Sequence, residues 1–442
     1  MKFKLLLTAL LLVIYFCNSK AKVKILNEDS LLLKRVITLE EKNGDTVIIE
    51  PIDFSCDSKG KYILILDKTQ RKIFVYDSYK GNLVKYLEPS IYFQDSVLFN
   101  TDIPKKSSNV EMYFIRDYLS HFNNDSIDYV IKDLQKSSYT RFWSAYFYND
   151  SIISINSQIH IRYIQYINNE IIKVGSSEPF IINYHIQKNT YSFLNFHSFY
   201  RNKEYFDNNK KKFVDICISP DLDVSMFDRK KKLFITNCNN HYARDKKDYD
   251  SLWSLAYYDA NGYFVKEINK LPKEYYDLKL YYNICSPRML IDNNDDIITA
   301  YPILSKIFNV SKNKVFEMTN LTQSNDEYIQ NLYENYVTQN KQFDIMRNIP
   351  VYINSLYLTS KGNYLIYFFE RGFDSTGNKV IYFQHVIQEY NTDGELVNQI
   401  HFKLNGENGL LKRIFYSMHD KSLILARVSE DKGWVLEYYH WD

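Results

Sequence analysis

The densest run of oxygen ligands in the chain is Asp292-Asn293-Asn294-Asp295-Asp296. A calcium loop of the EF-hand kind needs Gly at its sixth position and Glu at its twelfth, where this chain has Ile297 and Ile303. The run therefore reads as a polar hairpin turn, which Asp and Asn favour because their side chains bond to the backbone just ahead. Asp215 and Asp221-Leu222-Asp223 place carboxylates close together and read as a solvated loop. Nucleophilic catalysis finds no GxSxG elbow and no HExxH helix. The nine His are scattered, so a Ser-His-Asp group could arise only in the folded chain. After Cys17 four cysteines remain, Cys56, Cys217, Cys238 and Cys285, and no CxxC pair points to zinc. Cys56, Cys217 and Cys285 sit beside apolar residues and read as small buried hydrophobes. An exported protein could form one bridge among the four. No catalytic residue, no metal ligand set and no cofactor site is assigned.

Aromatic side chains are the other candidates for a site. Tyr275-Tyr276, Tyr281-Tyr282, Phe142-Trp143 and Tyr438-Tyr439-His440-Trp441 could stack on sugar rings or on a peptide. In a chain with 40 Tyr and 28 Phe, however, such clusters are first of all packing material. The same bias sets the fold class, because Tyr, Phe, Ile and Val suit a pleated, half-buried surface. Only 12 of 442 residues are Gly, which argues against phosphate-cradling loops and dinucleotide folds. A net charge of +2, with Lys and Arg spread throughout, gives no basic face for nucleic acid.

The elements that would position any site are short strands. Ile52-Asp53-Phe54 leads through the turn Asp57-Ser58-Lys59-Gly60 to Tyr62–Asp67, which is apolar on both faces. Ile73–Asp77 and Leu83–Leu87 follow. Four short strands joined by turns over about 40 residues form one blade of a propeller. The grammar recurs from Phe142 to Val174, from Val224 to Ile268, from Arg288 to Met318 and from Ile353 to Phe402. In the second unit the strands are placed at Phe142–Tyr148, Ser151–Ile155, Ile159–Ile167 and Ile171–Val174. The last unit, Ile414–Met418, Ser422–Val428 and Trp434–His440, has three strands, and Leu32–Leu39 or Thr46–Glu50 could supply the fourth. Closure by an N-terminal strand leaves no long free edge. The expected fold is thus an all-β propeller of six blades. The count becomes seven if Asp95–Lys136 is a degenerate blade.

The run Ile52–Leu87, with its Asp-Ser-Lys-Gly turn, Leu66-Asp67, Arg71-Lys72-Ile73 and Val75-Tyr76-Asp77, resembles the repeat of six-bladed propellers of the NHL and TolB-like type. Ser286-Pro287-Arg288 through Val310 is similar. With the N-terminal signal and Cys17, the whole resembles envelope lipoproteins that carry such a propeller. The resemblance implies a fold and transfers no catalytic residue. Ser429-Glu430-Asp431-Lys432-Gly433-Trp434 is similar to the aspartate box of sialidase propellers, but its aromatic residue comes too early and it stands alone, so it reads as a turn.

Residues 1–21 form a targeting segment, in which Lys2 and Lys4 precede the apolar run Leu5–Phe16, too short to span a bilayer. Two processing routes compete. Cys17-Asn18-Ser19 resembles the lipidated cysteine of bacterial lipoproteins, although Tyr15 and Phe16 are bulkier than that family prefers. Ser19-Lys20-Ala21 suits ordinary signal peptidase and would release a chain starting at Lys22. Residues 22–50 are read as a tether and closing strand, and residues 51–442 as the propeller, with insertions near 95–136, 175–212 and 322–347. The functional expectation is an exported module at the cell envelope, anchored by lipid to the outer membrane or free in the periplasm. It would bind a glycan, a peptide or a partner protein. The alternative is a hydrolase or lyase acting on glycans at the central channel. Intact mass of the mature protein tests the anchor: we expect a diacylated or triacylated N-terminus at Cys17 that a Cys17→Ser variant loses, whereas an unmodified chain from Lys22 contradicts it.

Overall fold

Side chains alternate across a strand, and along Tyr62–Asp67 both faces are buried: Ile63 and Ile65 pack on one side, Leu64 and Leu66 on the other. Such a strand needs a neighbour on each face. The computed structural model, which describes residues 24–41, 48–88, 139–167, 170–195, 199–200, 206–207, 212–213, 217–240, 253–277, 286–322, 325, 349–373 and 380–441, supplies both by stacking six antiparallel sheets as the blades of a β-propeller. Blade 1 is Pro51–Cys56, Tyr62–Asp67, Ile73–Asp77 and Leu83–Leu87. Blade 2 is Tyr139–Asn149, Ile152–Ile167, Glu170–His185 and Thr190–Asn195. Blade 3 is Cys217–Asp228, Leu233–Asn240, Trp253–Tyr258 and Phe264–Lys270. Blade 4 is Arg288–Ile291, Ile297–Ala300, Lys306–Asn309 and Lys314–Glu317. Blade 5 is Val351–Leu358, Tyr364–Phe373, Val380–Tyr390 and Leu396–Phe402. No helix among the described residues is long and apolar enough to cross a membrane.

Blade 6 is completed by the N-terminus. Its own strands are Gly409–Ser417, Ser422–Ser429 and Gly433–His440, and Leu33–Thr38 adds the outer strand, antiparallel to the last of them with Ile37 opposite Leu436. Of the two expected closing candidates, the first is therefore the one used. Ile37 then sits in the cluster that joins blade 6 to blade 1, with Phe415, Ile424 and Leu436 on one side and Ile63, Ile65, Phe74 and Tyr76 on the other. The chain crosses to blade 1 through Glu40, whose N–H donates to the Gly81 carbonyl at 2.8 Å. Gly81 has φ +71, and a Cβ there would strike the Thr38 carbonyl, so only glycine fits.

The structure adds to the sequence reading and corrects it. Lys24–Asn27, read as tether, pairs in parallel with Leu396–Phe402 of blade 5. The short helical turn Glu28–Ser30 then places Glu28 against Arg427, which is fully buried and also bonds Glu437 at 2.7 Å. In blade 2, Ser151–Ile155 and Ile159–Ile167 are parts of one strand, Ile152–Ile167, and much of the expected 175–212 connector is the blade's third and fourth strands. Polar residues along this strand are satisfied between strands and blades: Ser154 donates to Asn183 at 2.6 Å, and Asn156, at the expected break, accepts from Ser225 at 2.5 Å. Residues 95–136, Cys17 and nearly all of 322–347 lie outside the described residues.

Ring closure has a direct test in stability. Ile37→Ala removes a buried side chain at the blade 6–blade 1 seam and should cost about 2–5 kcal/mol in denaturant unfolding. Val36→Ala, one residue away on the exposed face, should change stability by less than about 0.5 kcal/mol. Equal effects would contradict the register.

Candidate functional site

Each blade presents its first strand to the ring axis, and all six of these strands contribute residues to a central cavity of about 1450 Å³. In blades 1, 2, 4 and 5 these strands are sheet edges, and in blades 3 and 6 only a two-residue strand flanks them, so most of their backbone groups need other partners. Side chains supply some of them. The Ala145 N–H of blade 2 donates to Asp53 Oδ2 at 3.0 Å, and the Phe147 N–H to Ser55 Oγ at 3.1 Å. Arg413 of blade 6 reaches Asn354 of blade 5 at 3.0 Å and the Ile52 carbonyl of blade 1 at 3.3 Å. Between blades 3 and 4, Asn237 donates to Ser286 at 2.8 Å.

Asp53, Arg288, Tyr357 and Arg413 come from blades 1, 4, 5 and 6 and face one another electrostatically. Asp53 and Arg288 belong to opposite blades of the ring, so this cluster marks its axis. Burial lifts the Asp53 carboxyl to about 6, against the pull of backbone N–H groups from Ala145 and Phe54 and of the Arg413 and Arg288 charges. Burial likewise pushes the Tyr357 hydroxyl up to about 12. The Arg288 side chain makes no hydrogen bond or ion pair among the described residues, and its Nε is buried without a partner, as is that of Arg413. Around the cluster stand Trp143, Phe147, Tyr352 and Phe369. The Arg71 guanidinium lies 4.6 Å from the Trp143 ring centre, a cation–π contact.

His385 also lines the cavity, held beside Tyr367 by a 2.6 Å hydrogen bond at Nδ1 with the two rings parallel to within 6°. Burial, with the Arg413 and Arg427 charges, drives its pKa down to about 3. It is therefore a neutral packing element at ordinary pH.

The residues singled out by sequence divide cleanly. Trp143 lines the cavity, while its neighbour Phe142 is buried in the core. Tyr275 packs on Tyr301 with ring centres 5.5 Å apart, and Tyr438 is buried under Arg35. Asp292 makes the expected turn: its Oδ1 accepts the Asn294 and Asp296 N–H groups at 2.8 and 2.9 Å. Ser429 to Gly433 is a hairpin turn. No cluster able to hold a metal ion occurs among the described residues. Cys56 is a free thiol that burial pushes up to about 12. The axial Asp53, Arg288 and Arg413 were not singled out. Their signal is a charge inside the first strand of a blade, where side chains approach the axis.

No family model and no curated protein matches the chain. Solved structures with a related fold include a Bacteroides fragilis protein described as exported, with TM-score 0.49 and 10% identity over 95% of this chain and 100% of that one. The PQQ-bound aldose sugar dehydrogenase of Streptomyces coelicolor gives 0.40 and 8% over 93% and 98%. Regucalcin, a calcium-binding protein from Agrobacterium tumefaciens, gives 0.40 and 7% over 95% and 97%. At these scores no residue role, cofactor or substrate transfers. The six-bladed propeller that the NHL and TolB-like resemblance implied is the fold observed.

The Asp53 carboxyl predicts a pH effect of definite sign. Its folded pKa of about 6 exceeds the ordinary 3.8, so the folded state holds the proton more tightly. The resulting stability is full below about pH 4 and is lost as pH rises through 6. His385, with a depressed pKa, works oppositely over much of this window. The readout is therefore the stability difference between the native chain and Asp53→Asn, followed by urea unfolding. That difference should fall between about pH 4 and pH 7. A flat or rising difference would mean that Asp53 is already ionised at pH 4.

Proposed function

We propose that this chain is an exported propeller that binds its ligand in the axial channel and works at the cell envelope, tethered through lipid on Cys17. The observation that carries the reading is the cavity itself. Six first strands line it with aromatic planes and polar groups, and at about 1450 Å³ it exceeds the usual range for small-molecule sites, about 300–1,000 Å³. A glycan, an extended peptide or a loop of a partner protein would fit that volume.

Binding is favoured over glycoside hydrolysis by what the lining carboxylates already do. Glycosidases use two carboxyl groups flanking the bond, about 5–10 Å apart. Glu50 and Asp53 are the carboxylates among the described lining residues. Glu50 pairs with Lys68 at 2.9 Å, and both oxygens of Asp53 accept backbone N–H groups.

The experiment is capture by the immobilised protein on a glycan array and from an envelope extract, with substitutions inside and outside the channel. Trp143→Ala and Tyr352→Ala should each reduce capture at least about tenfold, the loss expected for a buried aromatic contact. Tyr79→Ala, which removes a ring 68% exposed on the outer surface, should leave capture unchanged. Capture that follows Tyr79, or that ignores both channel substitutions, contradicts the reading.

A further inference from the structure

The channel lining carries an excess of positive charge over negative. Seven cationic side chains line it, Lys68, Arg71, Arg229, Arg288, Arg371, Lys412 and Arg413, against the two carboxylates of Glu50 and Asp53. The whole chain carries only +2, so the lining is much more positive than the average surface. Cations gathered in a concave, low-dielectric site focus their field and raise the local concentration of anions.

Of these charges, the two axial guanidiniums are the ones with a buried nitrogen left without a partner. The Arg288 side chain has no hydrogen-bond or ion-pair partner among the described residues, and its Nε is buried. Arg413 uses its terminal nitrogens on Asn354 and the Ile52 carbonyl and leaves its own buried Nε unpaired. Asp53, an acid that faces both electrostatically, pairs with neither within ion-pair distance, and its two oxygens are held at 3.0 Å by the N–H groups of Phe54 and Ala145. A buried donor without an acceptor costs free energy that a ligand can return. A guanidinium presents five donors in a planar fork that matches a carboxylate.

We propose that the ligand of this channel is an acidic oligosaccharide, with one sugar carboxylate held between Arg288 and Arg413 and further acidic groups meeting Arg71, Arg229 and Arg371 around the ring. This rests on the channel-binding reading above and names its ligand class. Two features favour a sugar acid over a simple anion. The cations come from blades 1, 3, 4, 5 and 6, a spacing that suits repeated charges on an extended ligand. Between them stand Trp143, Phe147 and Tyr352, flat faces on which the C–H side of a pyranose ring can stack.

Isothermal titration calorimetry of the full mature chain tests this with four probes: a tetragalacturonate, a neutral maltotetraose, a tetraglutamate peptide and inorganic phosphate. The acidic sugar should bind, and the neutral one should bind at least about tenfold more weakly. Arg288→Gln should weaken tetragalacturonate at least tenfold, consistent with loss of a charge-assisted bond. Arg288→Lys, which keeps the charge and loses the fork, should recover part of the affinity, and Lys432→Gln on the outer surface should change nothing. Unaltered melting curves for the Arg288 variants confirm that folding is intact. Equal binding of the neutral sugar, or indifference to Arg288, overturns the inference; if that binding still needs Trp143, the channel reading survives. Binding of the peptide alone or of phosphate alone overturns the sugar assignment. No binding of any probe overturns it as well, and the array capture described above then decides the channel reading separately.

Discussion

A propeller blade is apolar on both faces, and that constraint governs this protein. Ile63 and Ile65 belong to the cluster shared with blade 6, while Leu64 and Leu66 belong to the cluster shared with blade 2. The same division recurs in blade 5, where Leu365 and Tyr367 face blade 6 and Tyr364, Ile366 and Phe368 face blade 4. A sheet of this kind cannot end a stack without exposing a core face to water. The stack must close on itself, and the N-terminal segment closes it. Leu33–Thr38 joins blade 6 by hydrogen bonds, Lys24–Asn27 joins blade 5, and Glu28 accepts from the buried Arg427 guanidinium, whose Nε bonds Glu437. Removing one member of such a buried group leaves an uncompensated ion, which is costly.

Closure also makes the site. Six first strands brought around one axis leave a hole walled mostly by sheet edges, and the polar side chains there have a structural task before any other. Asp53, Ser55, Asn354 and Arg413 stitch adjacent blades together. Charges that lie far apart in sequence thereby meet in one low-dielectric space, where each acts strongly on the next. Burial in that space raises the Asp53 carboxyl against the pull of the neighbouring arginines, and burial together with the Arg413 and Arg427 charges depresses the His385 imidazole.

Much of this was legible in the residues. The run Tyr62–Asp67 declared a strand buried on both sides, the three-stranded last unit declared a missing partner, and Leu33–Thr38 had the strand character to fill it. Strand ends in blades 1 and 4 fall within a residue or two of expectation because Asp57, Asp77 and Asp292 open turns whose side chains bond the backbone locally. Blade 2 was misdivided because Asn156 and Ser157 look like a turn, whereas they are buried, with Asn156 bonded to a neighbouring blade. The axial cluster was hidden for a related reason. Arg413 sits 360 residues from Asp53 in sequence, and only the angle of each blade around the ring brings the two together.

Binding in the channel requires the first strands to act as one ligand-binding wall. Hydrogen–deuterium exchange with and without saturating tetragalacturonate tests that most directly. Slower exchange should be confined to the first strands, Pro51–Cys56, Arg288–Ile291, Val351–Leu358 and Gly409–Ser417 among them, while the outer strands Leu83–Leu87 and Leu33–Thr38 stay unchanged. Protection on those outer strands, or no protection anywhere, would contradict it.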